Sequence, residues 1–205
     1  MDVTVAEFEV ADAPEAWRAA GFTVDAGGTC RIGTVRVRFA GTAGGIVGWS
    51  LRGVPANISA IDGVPTTASD VPLAEPGVHP NGVTHIDHVV LMTPDLDRSL
   101  AALATVGLEP RRERNADLGG APLRQVFYRL GEVVLEVIGT PDVHGEGPAS
   151  FWGLTHTVAD IDATAELLGA NVGRVKDAVQ PGRRITTLRH EQVGMSVRTA
   201  FISPH

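Results

Sequence analysis

The 205-residue sequence predicts an α+β fold built from repeated strand–helix–strand–strand–strand (βαβββ) modules. One sequence pattern occurs three times along the chain: an alternating strand, a small residue with Asp, a short helix and then Gly. Helices are also too few for a parallel sheet in which a helix follows every strand. The three copies of the pattern are Val5–Phe22, Ile86–Leu108 and Gly153–Ala170.

The helix of the second copy carries start and stop signals. Thr93 is the predicted cap, Pro94 suits the first turn, and Asp95 complements the positive end of the helix dipole. Gly107 predicts a left-handed C-cap. Leucines recur at helical spacing between these signals and give one apolar face. The other two copies have matching residues, Asp12 with Gly21 and Asp160 with Gly169.

Three strand candidates follow each helix. In the second copy the last two candidates are separated by Gly131-Glu132, a dipeptide that favours a two-residue hairpin turn. The candidates are 22–28, 34–41 and 45–52 in the first copy, 108–115, 123–130 and 133–139 in the second, and 173–179, 183–189 and 196–203 in the third.

These repeats divide the chain into a short N-terminal βαβββ-like module at 1–54, a Pro/Gly-rich linker at 55–82 and a main domain at 83–205. The linker contains five prolines and little periodicity, which is typical of a linker or a surface loop. The main domain consists of modules 83–141 and 150–205. Because these two modules can pair with each other, the first copy is left over. We expect it to pack against its counterpart in a second chain, giving a homodimer, or onto the flank of the main domain.

Composition excludes several classes of function. A net charge of −7 argues against binding to nucleic acid or to an anionic membrane surface. No apolar run is long enough to span a membrane, and no signal peptide is visible, so we expect a cytoplasmic protein. Cys30 is the single cysteine, which excludes an intrachain disulfide and a thiolate metal cluster. The glycine-rich segment at 41–48 lacks dinucleotide spacing, so no nucleotide cofactor is expected.

Three segments of the main domain resemble the vicinal oxygen chelate superfamily, which includes glyoxalases and bleomycin-resistance proteins. They are "DHVVLMTPDLD", "FYRLGEVVLEVIG", and "FWGLTHTVADIDATAELLG" followed by "AVQPGRR". The resemblance implies a glyoxalase-like domain in which two βαβββ modules form an eight-stranded, open, cup-shaped mixed sheet. Members of the superfamily include lyases, epimerases, extradiol dioxygenases, thiol transferases and non-catalytic drug-binding proteins.

The resemblance also implies a metal centre with one ligand from the first strand and one from the last strand of each module. Carried over to the second copy, it gives His88 and Glu136, which suit divalent Zn, Fe, Mn or Ni. The matching positions of the third copy are Gly153 and either Thr199 or Ala200, which offer no useful donor. At most two of four ligands are therefore kept. The alternative is that His88 is a polar residue lining the cup, with Glu136 as its hydrogen-bonding partner.

Strand alternation predicts the lining of the cup. With the turn at Gly131-Glu132, Glu136 pairs with Phe127 and shares its sheet face. A one-residue slip in register would instead bring in Arg124 and Tyr128. The predicted substrate-binding residues are Gln125, Phe127 and Arg129, with Arg124 if the register slips, Trp152 near the rim, and Arg183 or Arg184 from the third copy. Ile86, His88 and Val90 join this face from the first strand.

This lining suits a small, partly apolar ligand that carries a carboxylate, a phosphate or an enolate. The first functional hypothesis is lyase, isomerase or epimerase chemistry on an oxygenated metabolite. In it, Glu136 is the base or a metal ligand, and His88 is a metal ligand or the acid–base partner. The second hypothesis is a binding or sensing protein without chemistry, acting on an antibiotic, a toxin or a metabolite.

Overall fold

The structure is a computed structural model that describes residues 2–41 and 44–205. Its N-terminal part contains six strands and one helix: β1 Thr4–Val10, α1 Pro14–Ala19, β2 Thr29–Ile32, β3 Val35–Phe39, β4 Ile46–Arg52, β5 Ala60–Ile61 and β6 Val64–Ala68. These strands form one open sheet in the order β2-β3-β1-β4-β6-β5. No helix within the described ranges has the length and apolar character needed to cross a membrane.

The remainder forms an eight-stranded mixed sheet with two helices. Its elements are β7 Val83–Met92, α2 Leu96–Ala104, β8 Arg112–Leu118, β9 Ala121–Leu130, β10 Val133–Gly139, β11 Ser150–Val158, α3 Ile161–Leu168, β12 Lys176–Asp177, β13 Arg184–Thr187 and β14 Arg198–Ile202. Short 3-10 turns lie at Gly169–Asn171 and His190–Val193. The strand order is β12-β13-β14-β11-β7-β10-β9-β8. This is the open glyoxalase-like sheet that the sequence predicts.

The two halves of this sheet are related by an approximate two-fold rotation. β7 and β11 are antiparallel neighbours, and His88 lies opposite Thr155 while Val90 lies opposite Gly153. The offset in residue number that matches Asp95 with Asp160 also matches His88 with Gly153 and Val90 with Thr155. Superposing one module on the other therefore exchanges the pair His88–Thr155 with the pair Gly153–Val90, as a two-fold axis between the strands requires.

In the main domain, each helix is capped by the aspartate that immediately precedes it. Asp95 accepts a hydrogen bond from the backbone N–H of Arg98, and Asp160 accepts one from that of Ala163. The prediction that Thr93 caps α2 is wrong. The hydroxyl of Thr93 instead accepts a hydrogen bond from the backbone N–H of Asp95. This contact stabilises the position of Asp95, which is the residue that caps the helix.

The N-terminal part differs from the sequence expectations in two places. The strand predicted at 22–28 is a loop that leads into β2, because its apolar residues Phe22 and Val24 are buried as anchors against other elements. The predicted linker contains β5 and β6, which extend the first sheet past residue 54. Trp49 on β4 donates a hydrogen bond to the hydroxyl of Thr66 on β6 (2.8 Å), which ties this extension to the sheet.

The first sheet packs on the main sheet of the same chain. Phe8 of β1 makes an edge contact with Phe151 of β11 (ring centroids 5.8 Å apart), and Phe22 lies 6.2 Å from Phe201 of β14. One buried apolar cluster includes residues of both sheets and of all three helices in the described part of the chain. Of the two expectations for the first copy, packing on the main domain is therefore observed. The homodimer stays a prediction.

Candidate functional site

The β9–β10 hairpin has the register that the turn predicts. Gly131 adopts a φ of 70°, which suits a tight hairpin turn, and Glu136 lies opposite Phe127. Alternation then separates two faces of the main sheet. The core face carries Val89, Tyr128 and Leu135, all buried in the apolar cluster. The cup face carries His88, Gln125, Phe127, Arg129 and Glu136.

A β-bulge in β7 adds a residue to the cup. His88 lies opposite Thr155, but Ile86 lies opposite the next residue of β11, His156, so that Asp87 is the extra residue. Bulges of this kind re-aim side chains and are common next to active sites. The bulge brings Asp87 beside His88 on the cup face. It also corrects the prediction for Ile86, which is fully buried on the core face.

Asp87 connects His88 to the other module. Oδ2 of Asp87 lies 2.7 Å from Nδ1 of His88, and Oδ1 lies 2.7 Å from Nη1 of Arg183. Arg183 is almost wholly buried and also donates to the carbonyl of Ser203 (2.8 Å). An ion pair between the two modules, in which Arg183 is buried, therefore holds the carboxylate that orients the imidazole of His88.

The ionisation of Asp87 determines where the proton of His88 lies. Burial alone raises the pKa of Asp87, but the hydrogen bonds from His88 and Arg183 outweigh burial and hold the pKa below its ordinary value. The carboxylate can then only accept hydrogen bonds, so Nδ1 of His88 must be the donor. In a neutral ring Nε2 is left as the acceptor, and it is the atom that faces Glu136.

Glu136 lies on the opposite side of His88 from Asp87. Its Oε1 accepts a hydrogen bond from Gln125 (2.5 Å), whose own Oε1 accepts one from Arg114 (2.7 Å). Its Oε2 lies 3.9 Å from Nε2 of His88, which is too long for the direct hydrogen bond considered from the sequence. Burial raises the pKa of Glu136, although the charges of His88 and Arg114 and the Gln125 hydrogen bond oppose it.

Asp87, His88 and Glu136 line a cleft of about 400 Å³, which we call the polar half of the cup. Its lining includes Asp87, His88, Glu136, Arg183, Arg112 and Arg129. Arg112 and Arg129 are exposed, and among the described residues neither guanidinium forms an ion pair or side-chain hydrogen bond. The two arginines, whose guanidinium groups pair with no other described residue, make this cleft suited to an anion.

A second cleft of about 630 Å³ lies on the module 150–205 side, and we call it the apolar half of the cup. Ile185, Ala200 and Trp152 contribute apolar walls, and polar or charged side chains that include Arg189, Glu191 and Arg198 also line it. His88 lines both clefts. The two halves therefore meet at this side chain.

The structure places two predicted binding residues elsewhere. Arg124 lies on the opposite face to Gln125 and pairs with Glu113 (2.6 Å), because the register does not slip. Arg184 also points away from the cup and pairs with Asp162 (2.7 Å). Ile185 faces the cup, so alternation along the chain places Arg183, two residues earlier, on the same face. Arg183 is the other arginine considered from the sequence. Trp152 lies at the rim as expected, half-exposed.

The sequence reading missed Asp87, Arg112 and Arg114. On β8, which pairs with β9, Arg112 lies opposite Phe127 and Arg114 lies opposite Gln125. Extending the alternation argument to β8 would have predicted both arginines. Asp87 had no comparable signal, because a bulge depends on how β7 pairs with β11.

The donors present do not fit the four-ligand metal centre that the family resemblance implies. β10 places Glu136 opposite Val90, and β14 places Ala200 opposite Thr155, so Ala200 is the two-fold counterpart of Glu136. Gly153 is the counterpart of His88, and a Cβ there would collide with the carbonyl oxygen of Arg198. Over residues 2–41 and 44–205, no three His, Cys, Asp or Glu side chains are grouped so that they could hold a metal ion.

Comparisons with known proteins agree with this fold. The sequence model of the Glyoxalase/Bleomycin resistance protein/Dioxygenase superfamily matches residues 85–191. A mutant of 4-hydroxymandelate synthase from Streptomyces coelicolor aligns with 100% of this chain and 92% of its own at 15% identity and a TM-score of 0.65. A xylose isomerase-like TIM barrel/4-hydroxyphenylpyruvate dioxygenase fusion protein aligns with 99% of this chain and 49% of its own at 12% identity and a TM-score of 0.64. No curated protein matches the sequence. At these identities the solved structures support the fold alone.

Proposed function

Because the chain belongs to the Glyoxalase/Bleomycin resistance protein/Dioxygenase superfamily, we propose that its domain 83–205 binds a small anionic oxygenated metabolite in the cup and moves a proton on it. The reaction class is isomerase or lyase chemistry next to a carbonyl group. The observation that carries this proposal is the row of polar side chains Arg183, Asp87, His88, Glu136, Gln125 and Arg114, which crosses the floor of the cup.

Arg112 and Arg129 are the proposed anion-binding residues. Both line the polar half of the cup, and a guanidinium can bind a carboxylate or a phosphate through two parallel hydrogen bonds. Phe127, which lies opposite Arg112 on the neighbouring strand, supplies a flat apolar wall beside them.

Glu136 is the proposed base. Burial raises its pKa, which makes the carboxylate a stronger proton acceptor than an exposed glutamate. It would accept a proton from the carbon next to the substrate carbonyl, and the arginines would stabilise the enolate that forms. Returning the proton to a different atom of the enolate completes an isomerisation without a further reactant. His88, oriented by Asp87, presents Nε2 as an acceptor to the same substrate.

The second candidate function is binding without chemistry. Gly153 and Ala200 favour it, because the positions that would complete a metal centre offer no donors. A divalent ion held by His88 and Glu136 alone would also bind weakly unless water or substrate completed its shell. We therefore expect protein purified without added metal to contain less than one divalent ion per chain, as measured by elemental analysis.

Proton exchange separates the two candidates. We would incubate the protein with 2-oxobutanoate in D₂O and follow deuterium uptake at the carbon next to the carbonyl by NMR. Wild type should accelerate uptake, and Glu136→Gln should lose about 10²–10⁴-fold of that acceleration, the usual share of a general base. Glu113→Gln removes an exposed carboxylate of strand β8 outside the cup and serves as the matched control.

Two outcomes would count against this assignment. Equal deuterium uptake in wild type and Glu136→Gln would remove Glu136 as the base. Binding of the anion without any uptake would favour the non-catalytic candidate. The homodimer and the cytoplasmic location expected from the sequence stay predictions.

A further inference from the structure

We propose that the apolar half of the cup binds the apolar body of the same substrate, so that the substrate is an amphipathic molecule with an anionic oxygenated head and a tail of several carbons. This inference rests on the proposed function, because it takes the head to be bound at Arg112 and Arg129. It adds the chemical class of the remainder of the molecule.

The space for the tail lies in front of a small side chain. Ala200 occupies the position that matches Glu136 under the two-fold rotation, and it lines the cleft. In one module this position carries a carboxylate, whereas in the other it carries only a methyl group. The cleft of about 630 Å³ is within the range of about 300–1,000 Å³ that is usual for small-molecule sites.

The walls of this cleft are suited to hydrocarbon. Ile185 and Ala200 line it from adjacent strands, and Trp152 stands at its rim with 51% of its surface exposed. The guanidinium of Arg198 lies 5.3 Å from the centre of the Trp152 ring, a cation–π contact that orients the indole. Aromatic side chains are common in the lining of small-molecule sites, and Trp152 lines this cleft.

The connection between the two halves implies a single ligand. His88 lines both clefts, so a molecule with its head among the arginines and its tail beside Trp152 passes over this imidazole. Its reacting carbon would then lie between head and tail, near Nε2 of His88 and the carboxylate of Glu136.

A series of 2-hydroxycarboxylates tests the inference, since all its members share one head. We would measure the binding of 2-hydroxypropanoate, 2-hydroxyhexanoate and 2-hydroxydecanoate by titration calorimetry. Burial of each added methylene should raise affinity about four-fold, as expected for a buried CH₂ group. The gain should stop once the tail fills the apolar half.

Two variants probe the cleft from different sides. Ala200→Phe fills it and should abolish the gain in affinity between 2-hydroxypropanoate and 2-hydroxydecanoate. Trp152→Ala removes the exposed rim residue, where a folding defect is not expected, and should lower the affinity for 2-hydroxydecanoate at least ten-fold. Leu167→Ala, an exposed apolar residue of α3, is the matched control and should change neither affinity.

The outcomes distinguish this inference from the function on which it rests. Equal affinity for all three acids, lost in Arg112→Gln and Arg129→Gln, would overturn the apolar subsite and keep the anion site. A gain with chain length that both arginine variants leave intact would overturn the anion site. A gain that survives both Ala200→Phe and Trp152→Ala would show that the tail binds elsewhere, and absence of binding by every acid would overturn both proposals.

Discussion

Asp87 shows how one residue changes the chemistry of the cup. Strict alternation along β7 would turn Asp87 away from His88, and the bulge turns it toward the imidazole. Its carboxylate then holds the proton of His88 on Nδ1 and forms an ion pair with the buried Arg183. The same side chain therefore fixes the tautomer of a candidate site residue and neutralises a buried charge from the other module.

We predict that Asp87→Ala lowers the free energy of unfolding by about 3–5 kcal/mol, because the buried guanidinium of Arg183 loses its counter-ion. Urea unfolding measures this loss. Asp162→Ala is the control, since it breaks the exposed pair with Arg184 and should cost no more than about 1 kcal/mol. Similar losses in the two variants would contradict a buried role for the Asp87–Arg183 pair.

At the scale of elements, the pairing of β11 with β14 determines which side chains module 150–205 can contribute to the cup. The two-fold rotation assigns Gly153 the place of His88, but the backbone of β14 lies so close that a side chain has no room there. Ala200 faces the cup with room in front of it. The two modules therefore share a fold and a strand register but have different halves of the cup, one polar and one apolar.

Gly153→Ala should lower the free energy of unfolding by about 1–3 kcal/mol, the range typical of overpacking at a tight contact. The added methyl group would meet the Arg198 carbonyl, and β11 and β14 would have to separate. Gly173→Ala is the matched control, since its nearest neighbour, the carbonyl of Thr187, lies 3.7 Å away at ordinary contact distance. Equal stability of the two variants in urea would contradict this close approach.

At the scale of the whole molecule, the two sheets enclose a histidine among aromatic rings. His156 is fully buried, and its ring centroid lies 5.1 Å from that of Phe22 and 6.1 Å from that of Phe201. Neither ring nitrogen has a hydrogen-bonding partner among the described residues. Burial lowers the pKa of His156 to about 3, and the charges of nearby His79, His88 and His85 add to this, opposed by Asp87.

The buried histidine predicts how stability changes with pH. Its pKa in the unfolded chain is about 6.5, so between pH 6.5 and 3 the unfolded chain binds a proton that the folded chain excludes. Its contribution is complete above pH 6.5 and is lost as the pH falls, by about 1.4 kcal/mol per pH unit. At pH 5 wild type should have lost about 2 kcal/mol more than His156→Phe.

Urea unfolding of wild type and His156→Phe between pH 5 and 8 measures this difference. His79, whose pKa is also lowered by burial, is present in both proteins, so its contribution largely cancels. Parallel stability curves for the two proteins would mean that water or a proton reaches His156 in the folded state.

Much of the fold could be predicted from the repeats. The positions of Asp95, Asp160 and their glycines located both helices of the main domain, and Gly131-Glu132 fixed the register that places Gln125, Phe127 and Arg129 beside Glu136. These features are local, because turns, caps and alternation depend on neighbours in the chain. The strand predicted at 22–28 failed because the burial of Phe22 and Val24 against distant residues outweighs their preference for a strand.

The sequence by itself determined the modular α+β fold, the presence of His88 and Glu136, and the absence of donors at Gly153 and Ala200. Only the tertiary structure decided that Asp87 faces the cup, that Arg183 enters it while Arg184 and Arg124 do not, and that the first copy covers the main sheet of the same chain. The physical reason is that these outcomes depend on contacts between residues far apart in sequence. A bulge, a buried ion pair and a sheet-to-sheet interface exist only once both partners are in place.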